Sequence, residues 1–330
     1  MSYNQSLAQE LPEQIIKKAW ESGRMSSAYL FFGPAGTGRL SLARSLAKSI
    51  NCKANSFPPC SVCPSCVKIE KNNHPDVHYV KKEISSVIKI EQIHQMQREI
   101  NLSCFEGRCK VFIMLNTEDL TSEAANCLLK ILEEPPKDSL IILIASDLRR
   151  IFPTIISRCQ KIRFTSKDRY EAEIILNRNY HLDETLSHFL AFVFEGRLLE
   201  ALRFKDGNIK NFKNQIIRQF VLSSGFSFTP LDGKHLTGFN KFDFKDKEEL
   251  NWLIKILITC VRDIYLLKIG QDKSELINED IAEQLFRLAG KFTFTDLDQM
   301  LGQLCNMLEN VRQNINPRLL IDNLRLLWRK

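Results

Sequence analysis

Between residues 11 and 165, short apolar runs alternate with stretches in which apolar residues recur every three to four positions. The runs at 28–32, 110–115, 139–145 and 160–164 read as buried strands. The stretch 39–50 carries Leu42, Leu46 and Ile50 at helical spacing. The stretch 121–134 puts Ala125, Leu128, Leu129 and Leu132 on one face, and Pro135-Pro136 ends it. Strands separated by helices predict an α/β domain: a parallel sheet with helices on both faces. Past residue 165 the strand pattern fades. Residues 166–210 predict a small helical unit. Residues 211–330 predict a second helical region, with strong segments at 250–269 and 296–311 and a loop over 226–247, rich in Gly, Phe, Asp and Lys. A chain of 330 residues exceeds one ordinary core, so the expected division is 1–165, 166–210 and 211–330.

The first predicted strand runs into Gly33-Pro34-Ala35-Gly36-Thr37-Gly38-Arg39-Leu40, and a helix follows. Strand, Gly-rich loop and helix in that order are the setting of a P-loop, whose backbone amides and helix N-terminus cradle phosphate. The expected ending is Gly-Lys-Ser/Thr. Arg39 keeps the positive charge but swaps a compact ammonium for a planar fork. Leu40 lacks the hydroxyl that would bind magnesium, and Ser41 points about 100° away along the helix. Gly33, Gly36, Gly38 and Arg39 are thus a degenerate nucleotide site, and ATP binding there stays open against a Gly-rich turn that binds nothing.

A second deficit points the same way. ATPases of this type end the next buried strand in Asp-Glu, one acid for magnesium and one for the attacking water. Here those positions are Leu115 and Asn116. Leucine cannot hold a metal, and asparagine cannot accept a proton at neutral pH. Glu118 and Asp119 fall past the strand end, too far round to stand in. No intrinsic ATPase activity is expected.

Cys52, Cys60, Cys63 and Cys66 have the spacing C-x7-C-x2-C-x2-C. Four thiolates so placed can close tetrahedrally on Zn²⁺ at about 2.3 Å each, with no open position, which predicts a structural zinc module over 52–66. A redox pair or unliganded thiols are the alternatives. His74 and His78 are surplus to four ligands. Cys104, Cys109, Cys127, Cys260 and Cys305 read as scattered small hydrophobes.

Several segments jointly carry a family likeness: Ala28-Tyr29-Leu30-Phe31 before the Gly-rich loop, the four cysteines followed by His74-Pro75-Asp76, Ala124 to Lys130 running into Leu132-Glu133-Glu134-Pro135-Pro136, and Pro153 to Cys159 ending in Ser-Arg-Cys. Val261-Arg262-Asp263 and Asn314-Ile315-Asn316-Pro317-Arg318 add to it near the C-terminus. With these, the chain resembles the delta-prime branch of the bacterial DNA polymerase III clamp-loader subunits, within the AAA+ superfamily, nearly end to end. The resemblance implies a zinc-bearing AAA+ base, a helical lid and an all-α collar that joins a five-subunit ring with gamma/tau and delta subunits. It implies that Arg158 acts as an arginine finger in the ATP site of the neighbouring gamma/tau subunit, while the ring loads the beta clamp onto primed DNA. Family members often keep Gly-Lys-Ser/Thr; this chain does not, which agrees with a stator role.

Composition narrows the rivals without deciding among them. Hydrophobic residues make up 44% and charged residues 26%, an ordinary globular balance. The net charge of +7 permits a nucleic acid or acidic partner and demonstrates neither. No apolar run is long enough to span a membrane. The first ten residues lack the basic and apolar parts of a secretory signal, so reduced cysteines and a cytoplasmic location are expected. An active gamma/tau-type ATPase would need a lysine at 39, a hydroxyl at 40 and acids at 115 and 116. A zinc-containing nucleic-acid adapter would need basic and aromatic residues around the cysteines, and 56–66 is nearly uncharged.

Overall fold

The computed structural model describes residues 10–82, 87–204, 213–214, 216, 217, 221 and 247–312. They divide into two compact units, Met1–Lys167 with Arg197–Glu200, and Asp168–Gly196 with Ala201–Lys330.

The first unit is built on five parallel strands: β1 (Ala28–Phe32), β2 (Val77–Val80), β3 (Lys110–Leu115), β4 (Ser139–Ala145) and β5 (Gln160–Arg163), in the order β2-β3-β4-β1-β5. The predicted α/β sheet with flanking helices is therefore what forms. β1, β3 and β4 are nearly all apolar because both of their faces are covered. Leu30, Phe112, Met114, Ile141 and Leu143 pack on one side with α4 (Ile90–Ile100), α5 (Ser122–Glu133) and α6 (Pro153–Ile156). Tyr29, Phe31, Ile113, Ile142 and Ile144 pack on the other with α1 (Glu10–Glu21), α2 (Arg39–Asn51) and α3 (Pro64–Glu70). Each such side chain taken from water contributes about 1.5–3 kcal/mol. The predicted strand at 160–164 ends at Arg163, although the Phe164 amide still donates to the Phe32 carbonyl at 2.7 Å. β2 has four residues on the sheet edge, too short to announce itself as an apolar run.

α5 begins where the sequence places it: the Thr121 hydroxyl accepts the Ala124 amide at 3.2 Å. It stops at Glu134, which precedes a proline and leaves the helical region at φ −127°, ψ 69°.

The described part of the second unit is helical. α7 (Arg169–Tyr180) and α8 (Glu184–Val193) are capped by Asp168 and Asp183. The four-residue α9 (Leu198–Ala201) carries the chain between the two units. α10 (Lys247–Lys268) packs against α11 (Ala282–Ala289) and α12 (Phe294–Arg312). Asp263 in α10 is fully buried. Its carboxylate accepts the Ile277 and Asn278 amides and the Asn278 side chain, and Arg262 pairs with it at 2.9 Å. The predicted loop up to residue 246 and Asn314 to Arg318 lie outside the described residues. Among the described residues, no helix is long and apolar enough to cross a membrane.

Candidate functional site

Chemistry-bearing residues gather at two places: the C-terminal ends of the central strands, where parallel sheets collect ligands, and a cysteine module beside α2.

The loop after β1 is held close to its neighbours. Gly33 has φ 138°, its amide donates to the Ala145 carbonyl at 3.2 Å, and a Cβ there would sit 2.0 Å from the Phe164 carbonyl oxygen. Gly36 has φ 76°, and a Cβ there would lie 2.7 Å from Cγ of Glu200. Gly38, at φ 94°, precedes α2 without a side-chain cap. The loop hydroxyl of Thr37 turns inward to the Pro34 carbonyl at 2.8 Å.

Arg39 does not reach out for a ligand. It is only 9% exposed, and its guanidinium donates to the Ala145 carbonyl at the end of β4. Burial pushes its pKa down, against the pull of Glu118 and Glu200, whose charges favour the cation. Sequence reasoning put Glu118 past the strand end, too far round to stand in for the missing acids; the structure adds that its charge acts on Arg39. Asn116 adopts a left-handed conformation, φ 55°, and a single 3₁₀ turn over Thr117–Asp119 folds Glu118 back. One Glu118 carboxylate oxygen accepts the Ser146 amide at 3.0 Å, and the other is buried without a partner. Glu200 arrives from α9, where the Leu199 amide donates to the Gly36 carbonyl at 3.3 Å and Arg197 pairs with Glu200 at 2.9 Å. Leu115 is half-buried and Asn116 is exposed; neither carries an acid into this place.

Arg158 stands apart from that cluster. It follows α6 and is held by its own chain: the Thr154 carbonyl at 2.9 Å, the Ser157 hydroxyl at 3.4 Å and the Glu133 carboxylate at 2.6 Å. About a third of the side chain is open to solvent (34%).

The four cysteines meet as their spacing predicts. The sulfurs of Cys52, Cys60, Cys63 and Cys66 all lie within 4.8 Å of one another, with Cys52–Cys60 at 3.4 Å and Cys52–Cys63 at 4.0 Å. A tetrahedral site with bonds near 2.3 Å calls for sulfurs about 3.8 Å apart, so the donor set fits zinc. Burial opposes the Cys63 thiolate, yet the backbone amides of Cys66 and Lys53 and the neighbouring thiols bring its pKa down to about 6. Burial, then the Cys63 contact, pushes Cys66 up. Of the remaining cysteines, Cys127, Cys159 and Cys260 are buried, Cys104 and Cys109 half-buried, and Cys305 is exposed, so the small-hydrophobe reading fails for Cys305.

His74 and His78 stay out of the sulfur cluster. His74 is buried. Its Nδ1 accepts the Asp76 amide at 3.1 Å, which leaves the proton on Nε2, 3.1 Å from the Ser65 hydroxyl in α3. Burial lowers its pKa against the pull of Glu106 and Asp76. His78 stacks on Phe112 with centroids 4.7 Å apart. Sequence reasoning missed the role of Asp76. Its buried carboxylate accepts the amides of Phe105, Glu106 and Gly107 at 2.7–2.9 Å. Asn51 takes those of Arg108 and Cys109, so the loop before β3 is stapled to the cysteine module.

Burial works against the Asp76 anion, but the three amides outweigh it and hold its pKa below the usual carboxylate value. A depressed folded pKa gives stability that is present above the unfolded pKa and lost as pH falls through the folded one. Asp76→Asn should therefore cost on the order of 3 kcal/mol at pH 7. The gap to the parent should close below about pH 4. Urea midpoints of both proteins from pH 7 to pH 2.5 test it; a gap constant across that range would show that the charge is irrelevant.

Residues 8–168 match the family model described as DNA polymerase III, delta subunit, and residues 231–330 match that of DNA polymerase III, delta subunit, C terminal. The DNA polymerase III subunit delta' of Bacillus subtilis is 30% identical over 326 residues, covering 96% of each chain. The DNA polymerase III subunit tau of Escherichia coli is 33% identical over 205 residues, which are 60% of this chain and 32% of that one. Among solved structures, a DNA polymerase III gamma subunit-related protein of Thermotoga maritima aligns over 96% of this chain and 98% of its own, at 16% identity and a TM-score of 0.44.

Proposed function

The chain belongs to the DNA polymerase III clamp-loader subunit family of delta', gamma and tau proteins, and from that premise we propose that it is a non-hydrolysing, delta-prime-type member acting at a neighbour's ATP site. The observation that carries this reading is the state of the first-strand loop. The cation of the degenerate P-loop is buried on the Ala145 carbonyl between Glu118 and Glu200. A hydroxyl at 40 and acids at 115 and 116 are lacking. A site so furnished has its loop cation engaged by its own chain and offers magnesium no ligand at those positions.

On this reading the base is 1–165, the lid 166–210 and the collar 211–330. The partners are gamma/tau and delta subunits, and the assembly loads the beta clamp onto primed DNA. Arg158 is the finger given to the adjacent gamma/tau ATP site, which its partly solvent-open place just past α6 supports. Zn²⁺ on Cys52, Cys60, Cys63 and Cys66 would lock the module; four sulfurs leave no position for catalysis. The 33% identity to tau favours an ATPase over part of the chain, but the residues that hydrolysis needs are the ones replaced.

The purified chain with magnesium and ATP is expected to show no turnover above background, and an added gamma/tau preparation should co-purify with it. Turnover that Arg39→Ala abolishes would reverse the assignment.

A further inference from the structure

Glu133 is the last residue of α5, the negative end of the helix, where a carboxylate costs stability. Helix stability therefore does not account for it. What it does is hold Arg158: Oε1 lies 2.6 Å from a terminal guanidinium nitrogen. The other terminal nitrogen is occupied differently, by two neutral acceptors, the Thr154 carbonyl at 2.9 Å and the Ser157 hydroxyl at 3.4 Å. The two sets of contacts differ in one respect that matters to a phosphate. Neutral acceptors can stay in place when an anion approaches the guanidinium, whereas a carboxylate already on it competes for the same N–H groups and repels the newcomer.

We propose that Glu133 parks Arg158 on its own chain, and that activation of the neighbouring ATP site requires the guanidinium to be exchanged from the Glu133 carboxylate to a nucleotide phosphate oxygen. The inference rests on the trans-finger reading above. Glu133 is a positioning residue: it acts through Arg158 and touches no reacting atom. Thr154 and Ser157 keep the fork aimed during the exchange. No covalent bond changes on this chain. One charge-assisted hydrogen bond is traded for another, and the exposed carboxylate (49% open) is left to water. Because the pair lies at the surface, the barrier is small, and the effect belongs in the resting rate rather than in the fully stimulated one.

The test uses the complete assembly of this chain with gamma/tau and delta subunits, measuring single-turnover ATP hydrolysis over a range of ATP concentrations, with and without primed DNA and clamp. Glu133→Gln keeps the shape and removes the charge. It is expected to raise the resting rate about two- to fivefold, the span of an exposed ion pair, and to leave KM for ATP unchanged. Glu134→Gln, one residue on, relieves the same helix end and should not change the rate. In Arg158→Ala/Glu133→Gln the gain should vanish, leaving the rate of Arg158→Ala alone. An unchanged resting rate in Glu133→Gln, or a gain that survives without Arg158, overturns the parking role. If Arg158→Ala by itself leaves turnover intact, the finger reading has failed, which is a different result.

Discussion

Arg158→Ala, built into the complete assembly, is expected to lower ATP turnover at the site facing this chain by about 10³–10⁵-fold, the usual worth of an arginine finger supplied in trans. The size follows from what the guanidinium does. It meets charge that grows on the transferring phosphate in a water-poor site, where a fixed cation counts for far more than in solvent. The substitution should leave this chain folded. Arg158 sits on the surface, and its pair with Glu133 is worth at most about 1 kcal/mol. Arg158→Lys keeps the charge and loses the planar fork, so it should restore only part of the rate. Single-turnover hydrolysis is the right measurement, because other ATP sites in the assembly would mask the loss at steady state. A facing site that hydrolyses at its normal rate without Arg158 would end the trans-finger reading, whatever the state of this chain's own pocket.

The parts of this picture that sequence displays are those made by neighbours along the chain. β1, β3 and β4 are continuous apolar runs, and their observed limits coincide with the predicted ones. Thr121 and Pro135 bracket α5 because caps and prolines act within a few residues. The sulfur cluster is legible because its ligands fall within fifteen residues. What stays hidden is made across the fold. Glu200 reaches the Gly-rich loop from far along the chain, and no local pattern announces it. Glu118 returns only because Asn116 takes a positive φ, a turn of backbone that one asparagine permits but does not demand. Asp76 gives no local signal of its role. Its three partners lie some thirty residues away and only the fold brings them in.

Removing the metal is expected to have the largest effect on stability. Structural zinc contributes on the order of 10 kcal/mol where the site cannot form in the unfolded chain. The cysteine loop itself has little regular structure: Cys52 and Cys66 are buried, yet Ser61 and Val62 are exposed, and the helix that follows, α3, has seven residues. One zinc per chain is the expected content of the purified protein. A strong chelator should release it, open 52–70 to protease and change the fluorescence of Trp20, whose ring lies 6.3 Å from Phe57 within the module. Cys66→Ser should do the same without chelator. Affinity should also fall with acid, because the thiols must give up protons to bind: Cys63, near 6, gives its proton readily, while Cys66, pushed up by burial, releases one only to the metal. Zinc loss should therefore steepen below about pH 6 and be accompanied by proton uptake. Protein that holds no zinc after gentle purification, and whose Trp20 emission ignores both chelator and Cys66→Ser, would show four sulfurs brought together for another purpose.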